Sequence, residues 1–233
     1  MKHHFLMLAL LGGTATVAQA QSAISAGTIA LGGSIGYSST NAKTSGSAGS
    51  TTLTSEVKSS QFSLSPAVGY FVADNLAIGL SVSYQSFSNG GGRYRTSSPG
   101  TNQAELDPAT IIRVGPYAQY YKMLSDQFGI LGTLSGGYQS MKDSQYDGGR
   151  TQVVQEFKGS GYYAGLTPGV IFFPVPKFGI SASIGSLRYD RMSYDFPTNS
   201  GTKPDNYENT ASEFGLGFGL DQLQFGGTYY FGR

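Results

Sequence analysis

Cysteine and tryptophan are absent from these 233 residues, and the two histidines are His3 and His4. Without cysteine there is no disulfide framework, no thiol to lipidate and no redox liability during export through an oxidising compartment. Charge is scarce as well. Lys and Arg number 15, Asp and Glu 14, and together they make 12% of the chain, a balance that implies no nucleic-acid partner. No run approaches the roughly 20 apolar residues that a spanning helix needs, so any crossing of a membrane falls to strands.

The first 20 residues have the layout of a secretory leader: Lys2 supplies the positive start, Phe5 to Leu11 the apolar stretch and Ala18-Gln19-Ala20 the small-residue cleavage site. The expected mature chain, residues 21–233, is then a single domain without histidine. Loss of Lys2 leaves 14 basic against 14 acidic residues, a formal charge of zero. Ser-His and Cys-His nucleophilic machinery is thereby excluded, as are the usual zinc and haem ligands.

What the chain has in abundance is glycine, at 34 residues, and ring-bearing side chains, at 16 Tyr and 14 Phe. Four strand-like runs close on paired rings: Tyr70-Phe71, Tyr120-Tyr121, Phe172-Phe173 and Tyr229-Tyr230, spaced by 50, 52 and 57 residues. Pro66, Pro116 and Pro168 stand four places before the first three doublets, and Phe225 stands there in the fourth. Such recurrence predicts a repeated hairpin whose descending strand ends at one physical boundary. A bilayer surface is such a boundary, because amphipathic rings gather where hydrocarbon meets headgroups.

Period-two alternation supplies the strands. Ile29, Leu31, Ile35 and Tyr37 alternate with Gly, Ala and Ser, and the same holds for Phe62 to Tyr70, Leu76 to Tyr84, Ile112 to Tyr120, Phe128 to Tyr138, Tyr162 to Phe172 and Phe178 to Ile184. In the last strand the apolar set moves from even positions (Phe214 to Leu220) to odd ones (Leu223 to Phe231), which predicts a β-bulge near Asp221-Gln222. The count is eight strands, read as an all-β, antiparallel transmembrane barrel. Connections after strands two, four and six are short, whereas 40–60, 88–108, 142–158 and 188–212 are long, Ser/Gly/Thr-rich and expected to be mobile extracellular loops.

Two aromatic belts follow from this layout. Tyr37, Tyr84, Tyr138 and Tyr162 fall near the loop side; Tyr70, Tyr120, Phe172 and Tyr229, with Phe128 and Phe178, fall near the turn side. No charge lies between them on the outward face, where a Lys or Arg at the bilayer midplane costs about 2–4 kcal/mol. Within this frame the in-strand prolines are a cost, since each deletes a ladder donor in a wall with no free edge. Their shared register predicts a bulge or an interior water at one depth in three strands.

The chain resembles the small eight-stranded outer-membrane barrels of the OmpA/OmpX type and the broad outer-membrane β-barrel domain family. The resemblance covers the whole mature chain, through G-Y-F-V-A-D-N-L-A-I-G at Gly69 to Gly79 and F-G-G-T-Y-Y-F at Phe225 to Phe231. It implies an outer-membrane address, a monomer in lipid, and barrel-assembly machinery that reads a terminal aromatic signal, here Tyr229 and Phe231. Gly232-Arg233 follow that signal, which departs from the family's usual aromatic terminus.

Enzymatic motifs are weak. Ser55-x-x-Lys58 has Ser-Lys spacing but no Lys-Thr-Gly beside it. Gly215-x-Gly217-x-Gly219 and Gly90-Gly91-Gly92 lack a following Gly-Lys-Ser/Thr. Asp143 and Asp147 read as solvated loop charges rather than a calcium site. By parity, Arg113 and Glu213 project into the lumen near its loop end, where a trans-lumen ion pair is geometrically open to them; the alternative partners for Arg113 are tyrosine hydroxyls, carbonyls and water. Phe71, Tyr121, Phe173 and Tyr230 point inward at the turn end, as an aromatic floor that blocks conduction or as simple filling of the barrel's taper.

The sequence therefore predicts a non-enzymatic barrel without cofactor or metal. It meets lipid, the assembly machinery and an extracellular partner through its loops. A narrow passive pore for small solutes is the second reading, and a secreted, soluble, lipocalin-like barrel around an apolar ligand the third.

Overall fold

A computed structural model describes residues 23–48, 51–89, 93–95, 106–147, 150–198, 201–219 and 223–233. The expected leader at 1–20 lies outside them. Every regular element described is a strand: β1 (Ile29–Ala48), β2 (Thr51–Ala73), β3 (Leu76–Asn89), β4 (Arg93–Arg95), β5 (Ala109–Met123), β6 (Phe128–Asp147), β7 (Arg150–Val175), β8 (Phe178–Ile184), β9 (Ser186–Tyr194), β10 (Thr210–Gly217) and β11 (Leu223–Phe231). Antiparallel pairing runs β7-β6-β5-β3-β2-β1-β11-β8 and returns from β8 to β7, which closes an eight-stranded barrel. The short β4 pairs with β2 outside the closed wall.

Alternation decides which side faces out. Ile78, Leu80 and Val82 lie exposed on the outer surface, while the intervening Ala77 is buried and Ser81 borders an interior cavity. The same split holds around the wall, with Tyr70, Tyr120, Phe172 and Tyr229 outward and Phe71, Tyr121 and Tyr230 buried within. Each doublet thus gives one ring to the outer surface and the next to the lumen. On the upper belt Tyr138 and Tyr162 stand directly opposite each other on β6 and β7, their rings T-shaped at 6.2 Å.

Two of the four expected loops are largely strand. The β1–β2 ladder is unbroken from Ile29↔Tyr70 to Ala48↔Thr51, and the β6–β7 ladder runs from Phe128↔Phe172 up to Tyr146↔Val154. Among the described residues, 40–48 with 51–60 and 142–147 with 150–158 are therefore paired strand, in hairpin arms, rather than loop. Low hydrophobicity removes the need for burial but not the backbone's capacity to pair, and strands of 20, 23, 20 and 26 residues far exceed the 9–11 needed to cross a bilayer. In 188–212 the two ends belong to β9 and β10. The stretch between them docks on β7, where the Asp195 amide donates to the Lys158 carbonyl at 2.8 Å and the Glu156 amide to Thr198 Oγ1 at 2.9 Å.

The last strand is described in two parts, β10 pairing with β9 and β11 with β8, and between Gly217↔Ser186 and Leu223↔Ile184 its register shifts. Both keep their apolar sets outward, at Phe214, Leu216, Phe225 and Phe231, so the parity switch has its expected effect. Asp221-Gln222, where the bulge was placed, lies outside the described residues. The preceding wall strand breaks at Gly185 with φ +69°, a left-handed conformation open to glycine without a Cβ penalty.

The prolines share a structural signature. Pairing of β2 with β3 skips Ser65-Pro66, pairing of β5 with β6 skips Gly115-Pro116, and pairing of β7 with β8 and β9 skips Thr167-Pro168. Each proline keeps its partner on the other side, Gly33, Leu80 and Gly132 respectively. The missing donor thus leaves a two-residue gap in the ladder toward the next strand, three times at the same place in the repeat.

Candidate functional site

The lower lumen is closed by the inward rings. Phe71 and Tyr230 are 0% exposed, and centroid separations of 5.4 Å (Phe71–Tyr121), 6.1 Å (Phe71–Tyr230) and 5.2 Å (Phe173–Tyr230) join all four into one cluster. These are tilted contacts within the 4.5–7 Å range that aromatic quadrupoles favour. The floor is also fixed by its backbone. Amides of Phe71, Tyr121, Phe173 and Tyr230 donate to the carbonyls of Thr28, Asn75, Gln127 and Lys177, at 2.7–2.9 Å. Three of those acceptors end the three short turns, so at each turn the outward ring of a doublet stands on the outer surface while the inward one is clamped.

Residues that the sequence reading passed over complete the seal. Ile24 is fully buried in the same cluster with Met123, Leu131 and Ile171, and its backbone exchanges hydrogen bonds with Asn75, amide to Oδ1 and carbonyl to amide, both at 2.9 Å. The Arg233 guanidinium stacks over the Phe173 ring at 3.6 Å. Burial there lowers its pKa. The two buried hydroxyls, Tyr121 and Tyr230, meet at 3.1 Å, and Tyr121 donates to Gln119 Oε1 at 2.5 Å.

Above the floor lies a cavity of about 310 Å³ lined by Ser65, Ser81, Gln119, Thr133, Ser181 and Thr228 among others. Higher still, Arg113 crosses the lumen, though not to Glu213. Its Nε donates to Gln139 Oε1 at 3.0 Å and its Nη2 lies 3.8 Å from Asp190 Oδ1. Gln139 Nε2 also donates to Asp190 Oδ1, at 3.0 Å. Arg188 Nε then meets Asp190 Oδ2 at 2.5 Å, and its Nη2 lies 3.9 Å from Glu213. The expected pair is thus replaced by a four-charge chain, Arg113–Asp190–Arg188–Glu213, with the Tyr163 ring 5.8 Å from the Arg113 guanidinium carbon. Asp190 wins over Glu213 because it is buried and Glu213 is largely solvated. Extending the alternation of Leu187, Tyr189 and Arg191 through the supposed loop would have placed Arg188 and Asp190 inward.

Chemically, the lumen offers hydrogen bonding and balanced charge. Among the described residues no group of three or more His, Asp or Glu side chains is placed to hold a metal ion, and Asp143 instead caps Ser144 and Gln145 at 2.8 Å each. At the rim, Lys158 and Lys142 lie 3.3 and 3.4 Å from the Glu156 carboxylate. They hold its pKa below the usual carboxylate value, Lys158 foremost.

A family profile described as outer membrane protein beta-barrel domain matches residues 5–220. The chain belongs to this family. Apolar residues outward and polar ones inward agree with an outer-membrane protein, and membership displaces the soluble lipocalin-like reading. The chain is similar to three solved structures. OprG from Pseudomonas aeruginosa is 14% identical, with 90% of this chain and 98% of OprG covered and a TM-score of 0.45. Neisserial surface protein A is 12% identical, with 91% and 100% covered and a TM-score of 0.42. The N-terminal β-barrel domain of Pseudomonas aeruginosa OprF is 10% identical, with 90% and 100% covered and a TM-score of 0.35. No curated protein matches the chain.

Proposed function

We propose that this member of the outer-membrane barrel family is non-enzymatic and acts outward, through its extracellular arms, on a barrel that gives solutes no path to the periplasm. The observation that carries the reading is the floor: four clamped rings and Ile24 span the turn end of the lumen with 2% exposure or less. Lipid meets the outward face, Tyr229 and Phe231 serve the assembly machinery, residues 1–20 direct export, and the barrel works as a monomer. An extracellular partner would contact the β1–β2 and β6–β7 arms and the stretch 195–209, which project beyond the upper belt.

The polar cavity above the floor favours a second reading, a narrow passive pore. Planar-bilayer recording separates the two. The wild type is expected to show no steady single-channel current, whereas Tyr121→Ala/Tyr230→Ala, which removes two floor rings, is expected to conduct. Steady current from the wild type would overturn the closed floor. Shortening 195–209 leaves β9 and β10 intact and should abolish partner binding to whole cells without changing that silence.

A further inference from the structure

On the outer surface of β6, β7, β9 and β10 the polarity changes at one row. Tyr138, Tyr162, Arg191 and Ser212 stand side by side in it, each the ladder partner of the next. Arg191 faces outward: it is exposed, while its chain neighbours Asp190 and Met192 are both 8% exposed and Asp190 reaches into the lumen. Below the row the outward side chains are apolar, with Leu134, Leu166, Tyr189, Phe214 and Leu216 exposed. Above it hydroxyls come first and charges second. Ser140, Ser160 and Ser193, all exposed, form the next outward row, and Lys142 and Lys158 stand opposite each other in the row after that. A barrel wall meets its headgroup boundary where apolar residues give way to polar ones, and paired tyrosines suit that height.

The cations of this surface differ in how they are neutralised. Lys142 lies 3.4 Å from Glu156 and 3.6 Å from Asp107, and Lys158 lies 3.3 Å from Glu156. Arg191 has no side-chain ion pair or hydrogen bond among the described residues. Its outward neighbours carry hydroxyls: Ser212 directly opposite on β10, Ser193 two places on along β9, and Ser160 opposite Ser193 on β7. Carboxylates stand elsewhere. Asp190 is held inside by Arg113, Arg188 and Gln139. The Asp195 amide bonds to the Lys158 carbonyl, which puts that residue in the Lys158 row, two outward rows above Arg191. An uncompensated guanidinium with hydroxyls around it and an apolar wall beneath it is complementary to an anion that carries its own apolar tails.

We infer that Arg191 is the centre of a binding site for a phosphorylated lipid of the outer leaflet. The guanidinium fork takes two phosphate oxygens at once, a geometry that a lysine ammonium does not reproduce. Hydroxyls of Ser160, Ser193 and Ser212 surround the head and donate to its remaining oxygens. The acyl tails descend over Leu166, Tyr189, Phe214 and Leu216. A long cationic side chain at this height also reaches the headgroups while its stem lies along apolar surface, which is how a charge is accommodated on a lipid-facing wall. The site lies on the outside of the barrel and does not depend on the closed floor.

The test uses dioleoylphosphatidic acid as probe, added to the mature barrel in detergent micelles, with native mass spectrometry as the readout. Wild type should keep one phosphatidic acid per barrel under activation that removes dioleoylglycerol and dioleoylphosphatidylcholine, which share its tails. Arg191→Gln should lower that retention at least five-fold. Ser193→Asp, which sets a carboxylate beside the guanidinium, should do the same, and it decides the matter if Arg191→Gln fails to fold by heat-modifiable gel mobility. Lys142→Gln removes a charge already met by Glu156 and Asp107 and should change retention less than two-fold. No adduct on the wild type, an adduct indifferent to Arg191→Gln and Ser193→Asp, an equal loss in Lys142→Gln, or equal retention of either uncharged-head or zwitterionic lipid would each overturn the inference. So would an equally persistent adduct of glycerol 3-phosphate, the head without tails, which would assign the site to free phosphate. Arg191→Gln should leave planar bilayers as silent as the wild type does, so the floor and this site fail separately.

Discussion

Replacing Asp190 by alanine should be among the most costly single changes in the upper lumen. Its carboxylate faces Arg113 at 3.8 Å, Arg188 at 2.5 Å and the Gln139 amide at 3.0 Å. At an effective dielectric near 20, a charge pair 3.8 Å apart interacts by about 4 kcal/mol before desolvation is subtracted. Arg113 is only 17% exposed, so Asp190→Ala leaves a largely desolvated guanidinium with neutral partners, a change that costs about 3–5 kcal/mol in buried pairs. Arg113→Met should cost less, because Arg188, half in solvent, still neutralises Asp190. The double variant Arg113→Met/Asp190→Ala should cost less than the two single variants summed, with a coupling of about 1–3 kcal/mol. Without tryptophan, urea unfolding in detergent micelles is best followed by circular dichroism, checked by gel mobility. A loss below about 1 kcal/mol for Asp190→Ala, or strict additivity in the double variant, would refute the network as a structural tie across the lumen.

Other expectations follow from single contacts. Gly185→Ala places a Cβ at φ +69° against the Gly217 carbonyl and should lose about 1–3 kcal/mol on the same unfolding assay, whereas Gly201→Ala, also at positive φ but with open space around it, should lose only about 1 kcal/mol. At the rim, the Glu156 pKa is depressed by Lys158 and Lys142, so its favourable contacts are complete above the unfolded carboxylate pKa and vanish as pH falls through the lower folded value. The protection factor of the docked Asp195 amide should fall over that acidic window, and Glu156→Gln should remove that fall. Tyr121→Ala alone should cost about 3–5 kcal/mol, because the site is rigidly framed and collapses little. A change under 1 kcal/mol in unfolding would mean that the floor is loosely packed.

Strand existence and the direction of the faces, with each aromatic's outward or inward side, were legible because they are written in period two, repeated over many residues, and reinforced by the recurrent doublets. Hairpin arms beyond the membrane were not. Residues 40–60 and 142–158 alternate Ser, Thr, Gly and Gln with little apolar signal, and backbone pairing without burial leaves almost no trace in composition. Arg113 and Glu213 were visible as inward charges, but their connection was not, since Asp190 and Arg188 sat in a stretch read as loop. Gln139, hydrogen-bonded to both Arg113 and Asp190, looked like any other inward polar residue.

The proline repeat shows how local chemistry and global closure interact. A proline deletes one donor, yet the ladder gives up two residues of pairing and resumes, because the flanking strands are held above and below by long antiparallel contacts. What lets the ladder resume is the support on the strand's other edge: β7 runs unbroken through Pro168 while it pairs with β6 from Phe128↔Phe172 to Tyr146↔Val154. An interruption on one edge of a strand stays local where the opposite edge is continuously paired.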